Sequence, residues 1–272
     1  MSILEVSNLQ KIYTTRFGGQ KVEALQSVSF KLEKGEWVAI MGESGSGKTT
    51  LLNMVAALDK PTAGTVVLEG KNLAQIKESS IAAFRRDNLG FVFQDCNLLD
   101  TFSLADNIYL PLVLAATPYK EMAARIVPLA ERLGIAGLLH KYPYEVSGGQ
   151  KQRAAVARAL ITKPRLVLAD EPTGALDSRS ADELLELFRQ INDAGQTILL
   201  VTHSVKAASY AGRVLFIKDG RVFHQLYRAD QSRQQFYQKI TEALTLLTSD
   251  GGLPEENAKE KAETPQRKGG AA

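Results

Sequence analysis

Trp37-Val38-Ala39-Ile40-Met41-Gly42-Glu43-Ser44-Gly45-Ser46-Gly47-Lys48-Thr49 is a short apolar run that breaks into glycines and then meets a lysine and a threonine. The apolar run predicts a buried strand, and the residues from Lys48 to about Leu58 carry a helical pattern. Residues 42–49 match the phosphate-binding loop pattern GxxxxGK[ST]. Glycines at Gly42, Gly45 and Gly47, with Ser44 between them, let successive backbone N–H groups converge on phosphate oxygens. The helix that follows adds its positive dipole end. Lys48 supplies a point charge to the outer phosphates, the Thr49 hydroxyl is suited to ligate Mg²⁺, and Thr50 completes the group.

Working outward, the chain alternates strand and helix patterns. Val66-Val67-Leu68 and Phe91-Val92-Phe93 predict strands, and Leu166–Ala169 and Thr197–Val201 are apolar throughout, as strands buried on both faces are. Val214–Ile217 and Val222-Phe223 flank Lys218-Asp219-Gly220-Arg221, a hairpin signal. Residues from about 95 to 160 lack such strands and are expected to form a helical subdomain. A C-terminal helix is expected within 229–249, and a disordered tail over 250–272, where Gly, Pro, Glu, Lys and Ala follow one another without periodicity. The strand at Leu166 ends in Asp170-Glu171. These carboxylates belong at the strand's C-terminal edge, beside the phosphates. Asp170 is suited to hold Mg²⁺, mostly through water, and Glu171 to polarise an attacking water.

Composition removes several alternatives. The net charge of +3 over 272 residues is too small to argue for nucleic acid as a partner. A single cysteine, Cys96, excludes an internal disulfide and a cysteine zinc cluster. The start Met1-Ser2-Ile3-Leu4-Glu5 meets a charge too early for a signal peptide. The most apolar stretch, Leu110–Ala116, contains Pro111 and falls far short of the ~18–20 residues that span a bilayer. Any membrane role is therefore expected to act through a partner.

Val146-Ser147-Gly148-Gly149-Gln150-Lys151-Gln152-Arg153 narrows the class. It resembles the signature of ABC ATPases, with Val146 in place of the usual leucine. Other marks follow in the family's order: Gln94 resembles the Q-loop glutamine, Ala175-Leu176-Asp177 the D-loop, and His203 the switch histidine. Tyr13 resembles the aromatic residue that stacks on adenine. The resemblance covers residues 1–226. It implies an α/β fold, a P-loop NTPase core of ABC ATPase type with an N-terminal antiparallel β subdomain and the inserted helical subdomain, the whole unit spanning 1–228. It also implies ATP with Mg²⁺, held by Thr49, Gln94 and Asp170, with Glu171, His203 and Gln94 in catalysis. Ser147-Gly148-Gly149-Gln150 opens an apolar-periodic helix and forms a second anion site, so two copies are expected to pair head to tail, each closing over the other's ATP.

Finer details point to one branch. Residues 22–30, 41–47 and 91–94 are similar to macrolide-exporter and lipoprotein-release ATPases. Residues 98–112 and 232–240 look closer to bacitracin-type antimicrobial-peptide resistance exporters. That likeness implies a separate transmembrane permease and a place at the cytoplasmic face of the cell membrane. An importer ATPase remains open, although many of those resemble this unit plus a β-rich C-terminal domain. A soluble ABC ATPase usually resembles tandem units or a coiled-coil insertion, and neither occurs. A GTPase should offer Asn-Lys-x-Asp, and the chain has no Asn-Lys pair. The apolar segment Leu98, Leu99, Phe102, Leu104, Ile108, Leu110 follows Gln94 and is the expected docking place for a permease helix, with Phe102 as its first test position.

Overall fold

The computed structural model describes residues 2–14 and 21–248. The tail expected over 250–272 lies outside the described residues. Strands β1 (Ser2–Thr14), β2 (Lys21–Glu33), β4 (Ala63–Leu68) and β5 (Lys71–Asn72) form an antiparallel sheet in the order β2-β1-β4-β5. Strand β3 (Trp37–Met41) lies in a second sheet with β6 (Leu89–Phe93), β7 (Leu166–Asp170), β8 (Thr197–Val201), β9 (Arg213–Lys218) and β10 (Arg221–Tyr227). Its order is β10-β9-β3-β8-β7-β6, parallel except for β10. The β9–β10 turn is Asp219-Gly220, both at positive φ (48° and 71°), the backbone that a two-residue hairpin of matching twist requires.

Why the central strands read as unbroken apolar runs is visible in the packing. Trp37, Ala39 and Met41 of β3 join one core, whereas Val38 and Ile40 join another. The same split holds for Val167 and Ala169 against Leu166 and Leu168. Period-two side chains thus fill a core on each face of the sheet, and neither face is left for polar residues. One core lies under the antiparallel sheet and α1 (Lys48–Val55). The other lies under α3 (Leu104–Leu114), α4 (Tyr119–Arg132), α5 (Gly148–Leu160) and α6 (Ser178–Asp193). Helix α2 (Glu78–Asn88) leads into β6, and the short α7 (Val205–Ala208) follows β8.

Helix α8 (Arg233–Thr248) buries Phe236, Ile240, Ala243 and Leu247, spaced four, three and four residues apart on one face. These side chains belong to the core beneath α6 and α7. Phe236 is fully buried, so Phe236→Ala should cost about 3–5 kcal/mol through lost transfer and an unfilled cavity. For a chain of this size that is a fall of roughly 10 °C in melting temperature, read by circular dichroism. An unchanged melt would mean that α8 does not pack there in solution.

Candidate functional site

Sheet order assembles the site. β3, β8 and β7 are adjacent and parallel, with Ile40 beside Val201 and Val201 beside Asp170. Their C-terminal ends therefore present the loop after Met41, the residues after Val201, and Asp170-Glu171 along one edge. A cleft of about 430 Å³ opens there, lined by Gly42, Ser44, Gly45, Gly47, Lys48, Thr49 and Thr50 and by Asp170, Glu171 and His203. Val22, Glu23 and Ala24 of β2 close its side. Sequence reading missed these three, because nothing in their identity marks them and only the sheet register brings them in.

Two glycines of the loop are required by space. A Cβ on Gly42 would stand 2.2 Å from the Ile217 carbonyl oxygen. Gly47 caps α1 at φ 102° and would meet the Ala24 oxygen at 2.4 Å. Glycine alone satisfies both the conformation and the approach. Lys48 Nζ donates to the carbonyls of Gly42 (2.8 Å) and Glu43 (2.7 Å), which fixes the ammonium over the loop. Burial pushes its pKa down, while the nearby charges of Glu171 and Asp170 work to keep it protonated.

Glu171 has φ 46°, strained for a residue with a side chain. Its carboxylate is tightly held. Oε1 accepts from the His203 backbone N–H (2.9 Å) and pairs with His203 Nδ1 (2.7 Å), and Oε2 accepts from the Thr202 hydroxyl (3.1 Å). Because an ionised carboxylate only accepts, Nδ1 carries the proton of that pair. Asp170 lies beside it with its pKa raised, first by burial and then by the Glu171 charge, with Lys48 opposing. A carboxyl pushed toward its neutral form gains from a cation placed next to it. Among the described residues no group of three or more His, Cys, Asp or Glu could hold a metal. The Asp170 carboxylate and Thr49 hydroxyl fit an ion that keeps several waters and binds through its substrate's phosphates, the habit of Mg²⁺.

The other candidates stand outside this cleft. Tyr13 lies on β1 opposite Val22, half exposed, with its hydroxyl donating to Asp59 (3.1 Å). Gln94 is exposed after β6, its side chain packed so closely against Gly174 that a Cβ there would sit 3.0 Å from Cδ. Ser147 is the N-cap of α5 in a capping box: its Oγ accepts from the Gln150 N–H, and the Gln150 side chain accepts from the Ser147 N–H. This cap leaves the N–H groups of Gly148 and Gly149 outside the helical ladder, free for an anion. Asp177 caps α6, accepting from the N–H groups of Arg179 and Ser180. The two caps adjoin: a Cβ on Gly149 would lie 3.1 Å from Ser180 Oγ.

Two residues of the signature helix tie it to the segment after Gln94, and their role was not legible in sequence. Buried Gln152 donates to the Phe93 carbonyl (2.8 Å) and accepts from the Cys96 thiol (2.6 Å). Arg158 donates to the carbonyls of Cys96 and Asn97. Burial pushes the Cys96 thiol up to about 11, so it is a structural donor with little thiolate character.

A second cleft, about 450 Å³, lies beside β6 and is largely apolar. Phe91, Phe93, Leu110, Pro111 and Leu114 line it, with Arg85, Arg86 and Arg158 at its margin. Its lining only partly overlaps the segment expected to dock a permease helix. Leu104 and Ile108 are buried core, Phe102 does not line the cleft, and of the expected residues only Leu110 does.

Comparison with known proteins agrees with this geometry. The family model described as ABC transporter matches residues 25–174. The bacitracin export ATP-binding protein BceA of Halalkalibacterium halodurans is 48% identical over 248 residues, 91% of this chain and 97% of that one. The macrolide export ATP-binding/permease protein MacB of Hyphomonas neptunium is 42% identical over 220 residues, 81% of this chain but 34% of that longer protein. Among solved structures, the dimeric post-hydrolysis state of the ATP-binding cassette MJ0796 bound to ADP and Pi superposes with a TM-score of 0.75 at 35% identity. It covers 82% of this chain and 98% of that one.

Proposed function

The chain belongs to the ABC transporter family as an ATP-binding, ATP-hydrolysing subunit, and from that premise we propose that it powers export of antimicrobial peptides through a separate permease. The relationship to a bacitracin export protein along nearly its whole length supports the substrate class. In the MacB relative, an ATP-binding/permease protein by name, this chain aligns with about a third of the length. No helix among the described residues is long and apolar enough to cross a membrane. A peripheral place at the cytoplasmic face, through the permease, follows in this reading. Residues 1–228 then act as the ATPase unit, with the helical subdomain over about 95–160 as its arm and 229–249 as an added helix.

The single observation that carries the catalytic part is the gathering of Lys48, Thr49, Asp170, Glu171 and His203 in one cleft. Backbone N–H groups of residues 42–49 and the Lys48 ammonium bind the outer phosphates of ATP. Thr49 and Asp170 would hold Mg²⁺, with Gln94 reaching in from beyond the cleft, and the ion would supply positive charge against the phosphates. Glu171 orients the attacking water and accepts its proton. The backbone N–H and ring of His203 hold that carboxylate in place. Ser147, Gly148, Gly149 and Gln150 stand outside the cleft of their own chain, so they serve the ATP of a second copy. The dimeric MJ0796 cassette supports that arrangement.

The apolar cleft beside β6 is where the permease docks. It adjoins Gln94 through β6, so a change at the γ-phosphate reaches the docked helix directly. Leu114 is 68% exposed, which makes Leu114→Glu harmless to folding. In the docked complex the new carboxylate would be desolvated against an apolar helix and drawn to the arginines of the cleft, Arg86 first, in place of the apolar contact, so permease capture should fall by about tenfold. ATP binding and melting temperature should be unchanged. A folded mutant that still captures the permease and supports transport would refute docking at this cleft.

A further inference from the structure

Tyr13 does not stand alone. Lys11 and Tyr13 are two apart on β1 and so share a face of the strand. The Lys11 ammonium lies over the Tyr13 ring, 4.9 Å from its centroid, and also pairs with Asp59 Oδ1 at 2.8 Å. The second carboxylate oxygen, Oδ2, accepts from the Tyr13 hydroxyl at 3.1 Å. Lys11 donates further to the Lys60 carbonyl at 2.8 Å, and Asp59 accepts from the Lys60 N–H at 2.7 Å. The ring is therefore fixed at two points, on one face by a cation and at its hydroxyl by a carboxylate. Asp59 sits just beyond the end of α1, the helix that begins at Lys48. This loop thus joins the tyrosine to the phosphate-binding element.

Burial favours the neutral carboxyl of Asp59, but Lys11, the Lys60 N–H and Tyr13 together hold it below the usual carboxylate range. Lys11 is only 12% exposed and its ammonium is spent on Asp59, Lys60 and the ring. A surface lysine that served only solubility would not be so enclosed. One ring face is taken by the ammonium. The ring is 41% exposed, and Val22, directly across from Tyr13 in register, lines the nucleotide cleft on that strand pair.

We propose that Lys11 and Asp59 are positioning residues that hold the Tyr13 ring for stacking on adenine, so that this ion pair sets the affinity for ATP and the preference for its base. The inference rests on the reading of Tyr13 as the adenine contact. A cation on one face draws electron density from the ring and strengthens its stacking on an electron-rich purine. A ring already held at two points also loses less freedom when the base arrives.

The test uses the full chain and two probes, ATP and inorganic tripolyphosphate, which shares the phosphates but has no base. Titration calorimetry should show Lys11→Met and Asp59→Asn weakening ATP binding roughly threefold to fivefold, the range of an aromatic–cation contact. Tripolyphosphate affinity should not change, and the preference for ATP over GTP should narrow. Lys11→Arg should restore both. Tyr13→Ala should weaken ATP by roughly tenfold or more through lost base stacking, and Lys11→Met added to it should then have no further effect. If Tyr13→Ala leaves ATP affinity intact, the adenine reading itself fails. If Tyr13→Ala weakens ATP while Lys11→Met and Asp59→Asn do not, the positioning inference alone is overturned. Equal losses for ATP and tripolyphosphate, with a lower melting temperature, would also overturn it, by showing the ion pair to be a structural staple between β1 and the 59–62 loop.

Discussion

Glu171→Gln is expected to keep ATP bound and to lose turnover by a factor on the order of 10²–10³, the worth of a positioned general base. The substitution conserves shape, so the contacts to the Thr202 hydroxyl and the His203 N–H have room to persist in altered form. What disappears is the negative charge and the capacity to accept a proton from water. Removing that charge from a site next to the half-buried Asp170 also relieves repulsion toward the γ-phosphate. Undivided ATP should then accumulate between two copies, and size-exclusion chromatography with ATP should show a stable dimer. A mutant that stays monomeric and hydrolyses at the original rate would remove Glu171 from catalysis.

Lys48→Ala should fail earlier, at binding. Among the described residues its ammonium is the one lysine or arginine group lining the cleft of phosphate-loop residues, and it is held over the loop by two carbonyls. Hydrogen bonds to charged groups contribute about 1.5–3 kcal/mol each, and an alanine makes none. ATP affinity should therefore fall by roughly 10- to 100-fold, measured by equilibrium binding of a fluorescent analogue. The melting temperature without nucleotide should barely move. Intact affinity would show that backbone N–H groups alone carry phosphate recognition. The contrast between the two variants separates binding from chemistry: Glu171→Gln traps ATP, whereas Lys48→Ala never collects it.

The α/β fold with its P-loop core was legible because its signals are local, whereas the added antiparallel sheet was implied by the resemblance, with only Val66–Leu68 of it read as a strand. The Gly42–Thr49 run states its own backbone geometry, since φ 102° at Gly47 and the approach to the Ala24 carbonyl admit only glycine. The apolar runs at 37–41, 166–169 and 197–201 announce strands covered on both faces, and they are β3, β7 and β8. Ser147 with Gln150 three residues later is a capping box that can be read directly, and it fixes where α5 begins. In each case the residues that decide the structure are neighbours in the chain.

What sequence could not supply is which distant segments meet. Lys11 and Asp59 are 48 residues apart, and nothing in either identity says that they share a tyrosine. Val22–Ala24 reach the cleft only because β2 pairs with β1 in one register. The apolar cleft gathers Phe91 and Phe93 of β6 with Leu110 and Leu114 of α3, while Phe102 stays outside it, for a similar reason. An apolar residue is driven out of water without regard to which surface covers it, so its identity predicts burial but not its neighbour. By itself the sequence determined the phosphate loop, the buried parallel strands and the carboxylates at their ends. The tertiary structure alone decided which side walls, ion pairs and apolar clefts surround them, because those contacts depend on the order in which strands far apart in the chain come together, and no single segment encodes that order.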